Sequence, residues 1–149
     1  MRWQTERLRV EPFCPEDWAA LYPILSDPEV MRHIEPPFTP EQTRAFLREA
    51  GELVYAVWLG ENLAGQLIFH PLGADWELGW ILSRQFWGRG LASELTAGAI
   101  EYAREQNIPG LVIEFDPEQA ASRRIAQNCG FQYRGLEDGL EVWRLALAQ

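Results

Sequence analysis

The stretch from Glu77 to Leu95, ELGWILSRQFWGRGLASEL, constrains this chain more than any other. Trp80, Ile81 and Leu82 form an apolar run that ends a strand beginning at Glu77. Ser83-Arg84-Gln85 breaks the run and Gly88 and Gly90 follow. Leu91, Ala92, Leu95, Ala99, Ile100 and Ala103 then recur at helical spacing. A strand that turns through glycines into a helix has the makings of an anion site. The first N–H groups of the helix have no acceptor within it, the helix dipole is positive there, and glycine lets the backbone approach a phosphate. Arg89 in the same turn adds a candidate charge-assisted contact. Taken alone, the pattern equally describes an ordinary tight strand-to-helix turn. It fits neither familiar nucleotide signature: the chain has no lysine, hence no Gly-Lys-Ser/Thr, and Gly90 lacks the further glycine of the dinucleotide fingerprint.

A length of 149 residues predicts one domain spanning 1–149, with room for a sizeable core. The net charge of −9 argues against a nucleic-acid backbone as partner and is compatible with a cationic substrate. No apolar run approaches the roughly 20 residues of a membrane-spanning helix, and the start, MRWQTERLRVEPF, lacks a signal-peptide core, so a cytoplasmic location and no membrane partner are expected. Cys14 and Cys129 form no metal-type cluster and are expected to be buried thiols. His33 and His70 are isolated in sequence, so no metal site is expected.

Along the chain, residues 7–13 alternate as a half-buried strand. Pro15 opens a helix with Trp18, Leu21 and Leu25 inward, which Pro23 should kink or shorten. Asp27-Pro28 restarts a short helix through Met31. Thr39-Pro40-Glu41-Gln42 is a capping box for a helix to about Ala50, with Phe46 and Leu47 inward and Gly51 as its stop. Strands are predicted over 54–59 and 63–70 about a Gly60-Glu61-Asn62 turn, then over 77–82. The long helix after Gly90 ends near Asn107, and 111–115 is the next strand. Strand, helix, strand in that order implies a parallel pair with a right-handed crossover. Asp116 should cap a helix from Pro117 to Cys129, with Ala121, Ile125 and Cys129 inward. Residues 131–134 and 141–148 close the fold as an antiparallel pair. The sum is a mixed α/β sheet of six to seven strands with a parallel central pair and about four helices.

Trp87-Gly88-Arg89-Gly90-Leu91-Ala92 resembles the Q/R-x-x-G-x-G/A pyrophosphate loop of the GCN5-related N-acetyltransferases (GNAT superfamily), with Trp87 where that pattern has Gln or Arg. Thr5-Glu6-Arg7-Leu8, Ser26-Asp27-Pro28-Glu29-Val30-Met31 and the run from Asp116 to Phe131 resemble further markers of its ribosomal-protein N-terminal acetyltransferase branch, in order and spacing. The resemblance implies a GNAT-like fold and transfer of an acetyl group from acetyl-CoA to a primary amine, on a protein N-terminus or a small molecule, without a metal. It also implies that Gly88, Arg89, Gly90, Leu91, Ala92 and Ser93 hold the diphosphate and that Trp80, Ile81 and Leu82 pair with the pantetheine arm. Two carboxylates compete as general base, Glu114 between Ile113 and Phe115 and Glu77 at the start of the central strand. The acid that the family usually supplies as Tyr falls at Ala126. Ser122, one turn earlier, is the hydroxyl available in its place, and Gln119 falls where the family has an Asn against the pantetheine. Residues 119, 122 and 126 are expected to share one face turned to the cofactor.

Two other readings stay open at this point. The domain could bind acyl-CoA as a catalytically weak regulatory module, or be a nucleotide-binding fold unrelated to acyl transfer. Neither the acceptor amine nor the choice between monomer and homodimer is written in the sequence.

Overall fold

The computed structural model describes residues 1–147. Their strands form one eight-stranded sheet in the order β1-β2-β3-β4-β5-β6-β8-β7. The strands are β1 Trp3–Gln4, β2 Arg9–Pro12, β3 Val54–Leu59, β4 Asn62–Leu72, β5 Asp75–Leu82, β6 Gly110–Phe115, β7 Gln132–Glu137 and β8 Leu140–Ala146. One strand exceeds the expected number: β1 is two residues long, too short to show an alternation. The expected closing strand to Ala148 ends at Ala146, and Ala148 lies outside the described residues. The parallel pair is β5 with β6; every other pairing is antiparallel.

Among the described residues five α-helices cover the sheet: α1 Trp18–Leu25, α2 Pro28–Met31, α3 Pro40–Ala50, α4 Leu91–Glu105 and α5 Ala120–Asn128. Pro15–Asp17 is a 3₁₀ turn leading into α1 rather than its first turn, and Pro23 sits inside α1. The capping box at the start of α3 is present: Thr39 Oγ1 accepts from Gln42 N–H, and Gln42 Oε1 accepts from Thr39 N–H.

Alternation along the strands divides the apolar side chains between two cores. Trp76, Leu78, Trp80 and Leu82 of β5 pack on the face that carries α4 and α5, together with Phe69, Leu95, Ala99 and Leu111. Ile81 turns to the other face, where Leu21, Ile24 and Leu25 of α1 and Val30 and Met31 of α2 cover it. Burial of a side chain such as Leu95 or Leu21, each 0% exposed, contributes about 1.5–3 kcal/mol. The two cores are what hold β5 fixed between its layers. Cys14 departs from expectation. It is exposed at the end of β2, where Asp17 and the acidic groups near it push its thiol up, while Cys129 is half-buried against the larger core.

β4 and β5 approach unusually closely beside the glycine turn. A Cβ on Gly65 would lie 2.0 Å from the Ile81 carbonyl oxygen, so nothing larger than glycine fits there without moving β5.

Candidate active site

The site begins where β5 and β6 part. Their parallel ladder comprises Trp76 with Leu111 and Glu77 with Val112. Beyond it, residues 79–82 run on toward the glycine turn with their outer edge unpaired to β6. That splay opens into a cleft of about 740 Å³. Its walls are the end of β5 (Trp80, Ile81, Leu82), the turn and first residues of α4 (Phe86, Trp87, Gly88, Gly90, Leu91, Ala92, Ser93), and the start of α5 (Gln119, Ala121, Ser122, Arg124).

The turn is held by local geometry. Gly90 caps α4 in the left-handed region at φ 75°, and Gly88 has the same φ. The first main-chain bond of the helix runs from Glu94 N–H to the Gly90 oxygen at 3.0 Å, so the N–H groups of Leu91, Ala92 and Ser93 precede the ladder without acceptors inside the helix. Trp87, standing where the family pattern has Gln or Arg, has a structural job: its indole N–H donates to Leu82 O at 3.0 Å and ties the turn to the strand end.

An anchor from the N-terminus holds α4 from outside. Glu94 accepts from Thr5 Oγ1 (2.5 Å), Arg7 N–H (2.8 Å) and Arg7 Nε (2.7 Å), while Arg7 Nη1 donates to the Arg89 carbonyl (3.0 Å). These bonds outweigh the cost of partial burial and keep the Glu94 carboxyl below its usual range. The Thr-x-Arg marker thus braces the glycine turn.

The turn and strand-end residues predicted from sequence come together in the cleft, with Arg89 as the exception. Its guanidinium stacks over the Phe86 ring at 5.3 Å and does not line the cleft. Arg124 of α5 lines the cleft instead. The predicted start of α5 also needs correction. Asp116 does not cap the helix. Its side chain accepts from Glu118 N–H at 2.8 Å, Gln119 Oε1 accepts from Asp116 N–H at 3.1 Å, and the helix starts only at Ala120. The amide oxygen of Gln119 is therefore spent within this turn, leaving its NH₂ to the cleft.

Residues 119, 122 and 126 do not share a face toward the cleft. Gln119 and Ser122 line it, whereas Ala126 is 0% exposed in the core under α5. Ala121 and Ile125, expected inward, line the cleft. Ala126 packs into the larger core and does not face the cleft. Ser122 Oγ bonds to none of the described residues, so no back-bond to a carbonyl occupies it.

Glu77 and Glu114 lie outside the cleft wall, on the sheet face that also carries Ile81. Glu77 is opposite Val112, and Glu114 follows two residues later on the same side of β6. Partial burial pushes the Glu114 carboxyl above its ordinary range, and the negative charges of Glu77, Glu137 and Asp138 push it the same way. The side chain remains solvent-exposed, which limits the effect. Glu77 meets His70 in register on β4, Oε1 to Nε2 at 3.0 Å.

Sequence reasoning missed the second helix side of the cleft. Glu29, Val30, His33 and Ile34 also line it. His33, isolated in sequence, is brought by the fold beside Asp116 and Glu118, with donor atoms within 4.8 Å of one another and 3.4 Å between Nδ1 and Glu118 Oε2. Only the tertiary fold joins residues so far apart.

The comparisons agree with this geometry. The Acetyltransferase (GNAT) domain family matches residues 7–132. YnaD of Bacillus subtilis (strain 168), an uncharacterized N-acetyltransferase, is 29% identical over 157 residues, covering 96% of this chain and 92% of its own. A GNAT-family acetyltransferase from Bacillus anthracis superposes with a TM-score of 0.90 at 26% identity, over 98% of each chain. The fold is also that of RimL, a ribosomal L7/L12 α-N-protein acetyltransferase solved with coenzyme A, at TM-score 0.83 and 19% identity over 99% of this chain and 98% of that one. With most of its length inside the family match and the splayed β5–β6 cleft leading into a glycine turn, the chain belongs to the GNAT acetyltransferase family.

Proposed function

We propose that this protein transfers an acetyl group from acetyl-CoA to a primary amine, a protein N-terminus or a small-molecule amine. The observation that carries the reading is the splay after Glu77: an edge of β5 unpaired to β6 leads, through the turn at 83–90, to a helix start whose N–H groups lack acceptors inside the helix. A cosubstrate with an amide-bearing arm and a diphosphate at its end matches both halves. RimL and the microcin immunity protein MccE, which share the fold, were solved with coenzyme A and with acetyl-CoA respectively.

Acetyl-CoA supplies the activated acetyl group. The N–H groups of Leu91, Ala92 and Ser93 bind the diphosphate, with Gly88 and Gly90 keeping the approach open and Arg124 supplying positive charge from the opposite wall. The edge of Trp80, Ile81 and Leu82 orients the pantetheine arm, and the Gln119 NH₂ donates to one of its carbonyls. A backbone N–H of this edge polarises the thioester oxygen. One of the two carboxylates on the opposite sheet face, Glu77 or Glu114, takes the proton released as the amine attacks, and Ser122 donates toward the leaving sulfur. No step requires a metal. The setting proposed for this chemistry is the cytoplasm, as a monomer or homodimer, and no helix among the described residues is long and apolar enough to cross a membrane.

An amine panel with thiol detection tests the proposal: CoA release that depends on added amine is expected. Tight CoA binding without turnover on any amine would instead support the weak acyl-CoA-binding module. Ser122→Ala should slow turnover by no more than about 100-fold, because water can protonate the sulfur in its place. An unchanged rate across pH would remove Ser122 from the mechanism.

A further inference from the structure

We propose that His70 is a positioning residue that relieves Glu77 of the proton it collects, so that Glu77 and His70 act as one proton-accepting pair. The inference rests on the acetyl-transfer reading above and adds a residue to it. Both ring nitrogens of His70 face oxygen atoms. Nδ1 lies 2.9 Å from the Pro71 carbonyl oxygen, and Nε2 lies 3.0 Å from Glu77 Oε1. A carbonyl oxygen only accepts hydrogen bonds, so the Nδ1 position carries a proton and donates it to Pro71. In neutral imidazole the other nitrogen is then a bare lone pair. That lone pair points at a carboxylate oxygen, which is also a bare acceptor when ionised.

This arrangement is one proton short. With His70 neutral and Glu77 ionised, two lone pairs face each other across 3.0 Å. Adding a proton turns the contact into a charge-assisted hydrogen bond between imidazolium and carboxylate. The attacking amine supplies that proton. Its N–H bond breaks as a proton passes to the Glu77 carboxylate, and the proton then moves to His70 Nε2, leaving Glu77 ionised again. His70 returns it to water, since its side chain is 17% exposed. Glu114 of β6 lies on the same face, and partial burial first, then the negative charges of Glu77, Glu137 and Asp138, raise its carboxyl. Among the described residues, His70 forms an ion pair with Glu77 alone.

The pairing is set by register. His70 and Glu77 are directly opposite in the β4–β5 ladder, on the face where Ile81 and the α1–α2 layer stand. Neither residue touches the cleft wall, so a change at His70 leaves cosubstrate contacts alone.

Two measurements on the full chain test this. The chain contains two histidines, so ¹⁵N-imidazole spectra are assigned by comparison with a His70→Gln variant. The expected result for His70 is the Nδ1–H tautomer in the neutral form, with an Nε2 signal that shifts in Glu77→Gln. An Nε2–H tautomer overturns the proposal whether or not an amine substrate has been found. In kinetics, His70→Gln can still donate to Glu77 but cannot carry a proton. Its kcat should fall by about tenfold to 100-fold, short of the full effect of a direct base, with KM for acetyl-CoA and the melting temperature unchanged. Added imidazole should restore part of kcat to His70→Gly. An unchanged kcat in His70→Gln, or a loss that imidazole does not relieve, overturns the relay. A wild-type protein inactive on every amine would defeat the acetyl-transfer reading, and the tautomer measurement would still decide the pairing.

Discussion

Gly90→Val is expected to lower affinity for CoA by about 100-fold while the protein stays folded. The change does not act through packing, since a Cβ at position 90 would meet nothing nearer than Arg7 Nη2 at 3.7 Å. It acts through the backbone. Gly90 holds φ 75°, and a β-branched residue in the left-handed region costs about 1–3 kcal/mol, so the turn relaxes away from that conformation. The N–H groups of Leu91, Ala92 and Ser93 then no longer converge on one point. Calorimetric titration with CoA measures the loss, and circular dichroism confirms the fold. A folded variant that binds CoA like the wild type would show that the turn is not the diphosphate site.

Glu114→Gln and Glu77→Gln are expected to separate turnover from binding. Whichever carboxylate is the base should lose about 10²–10⁴ in kcat, while CoA binding stays close to wild type because neither side chain lines the cleft. Stability should move in a defined direction for Glu114. Partial burial first, and then its acidic neighbours, raise its folded-state value above the unfolded one. The fold therefore favours the protonated carboxyl, and the stability gained from this is lost as pH rises through the folded-state value. Gln should flatten that dependence, with a small amplitude because the side chain is exposed. Normal rates in both variants would show that neither carboxylate is the base.

What could be read from the sequence was local. The junction from Glu77 to Leu95 was legible because strand, glycine turn and helix follow one another and each leaves its own periodicity. The capping box at Thr39 was legible for the same reason. The limit shows in one tripeptide that occurs twice, Asp-Pro-Glu at 27–29 and at 116–118. In both copies the Asp side chain accepts from the Glu N–H two residues on. In the first copy a helix follows at once, because Val30 and Met31 bury themselves beside α1. In the second, Gln119 folds back onto Asp116, and the helix waits until Ala120. Packing three residues downstream decides between the outcomes, and a motif does not encode it. The same holds for Ala126, whose helix position was clear but whose facing depended on how α5 sits on the sheet. It holds again for His33, which reaches the cleft only through the placement of α2.

The anchor of Thr5 and Arg7 on Glu94 has a consequence for how the protein folds. Its partners are 87 to 89 residues apart in the chain, and the same N-terminal segment fills the notch at Gly98, where a Cβ would lie 2.5 Å from the Trp3 ring. Contacts of such long separation form only after a large loop-closure entropy has been overcome. The segment that carries Thr5 and Arg7 must therefore wait for α4 before its place exists. The glycine turn gains its outer support as one of the late, non-local events of folding, so slowing that docking delays completion of the cleft without weakening any contact inside it.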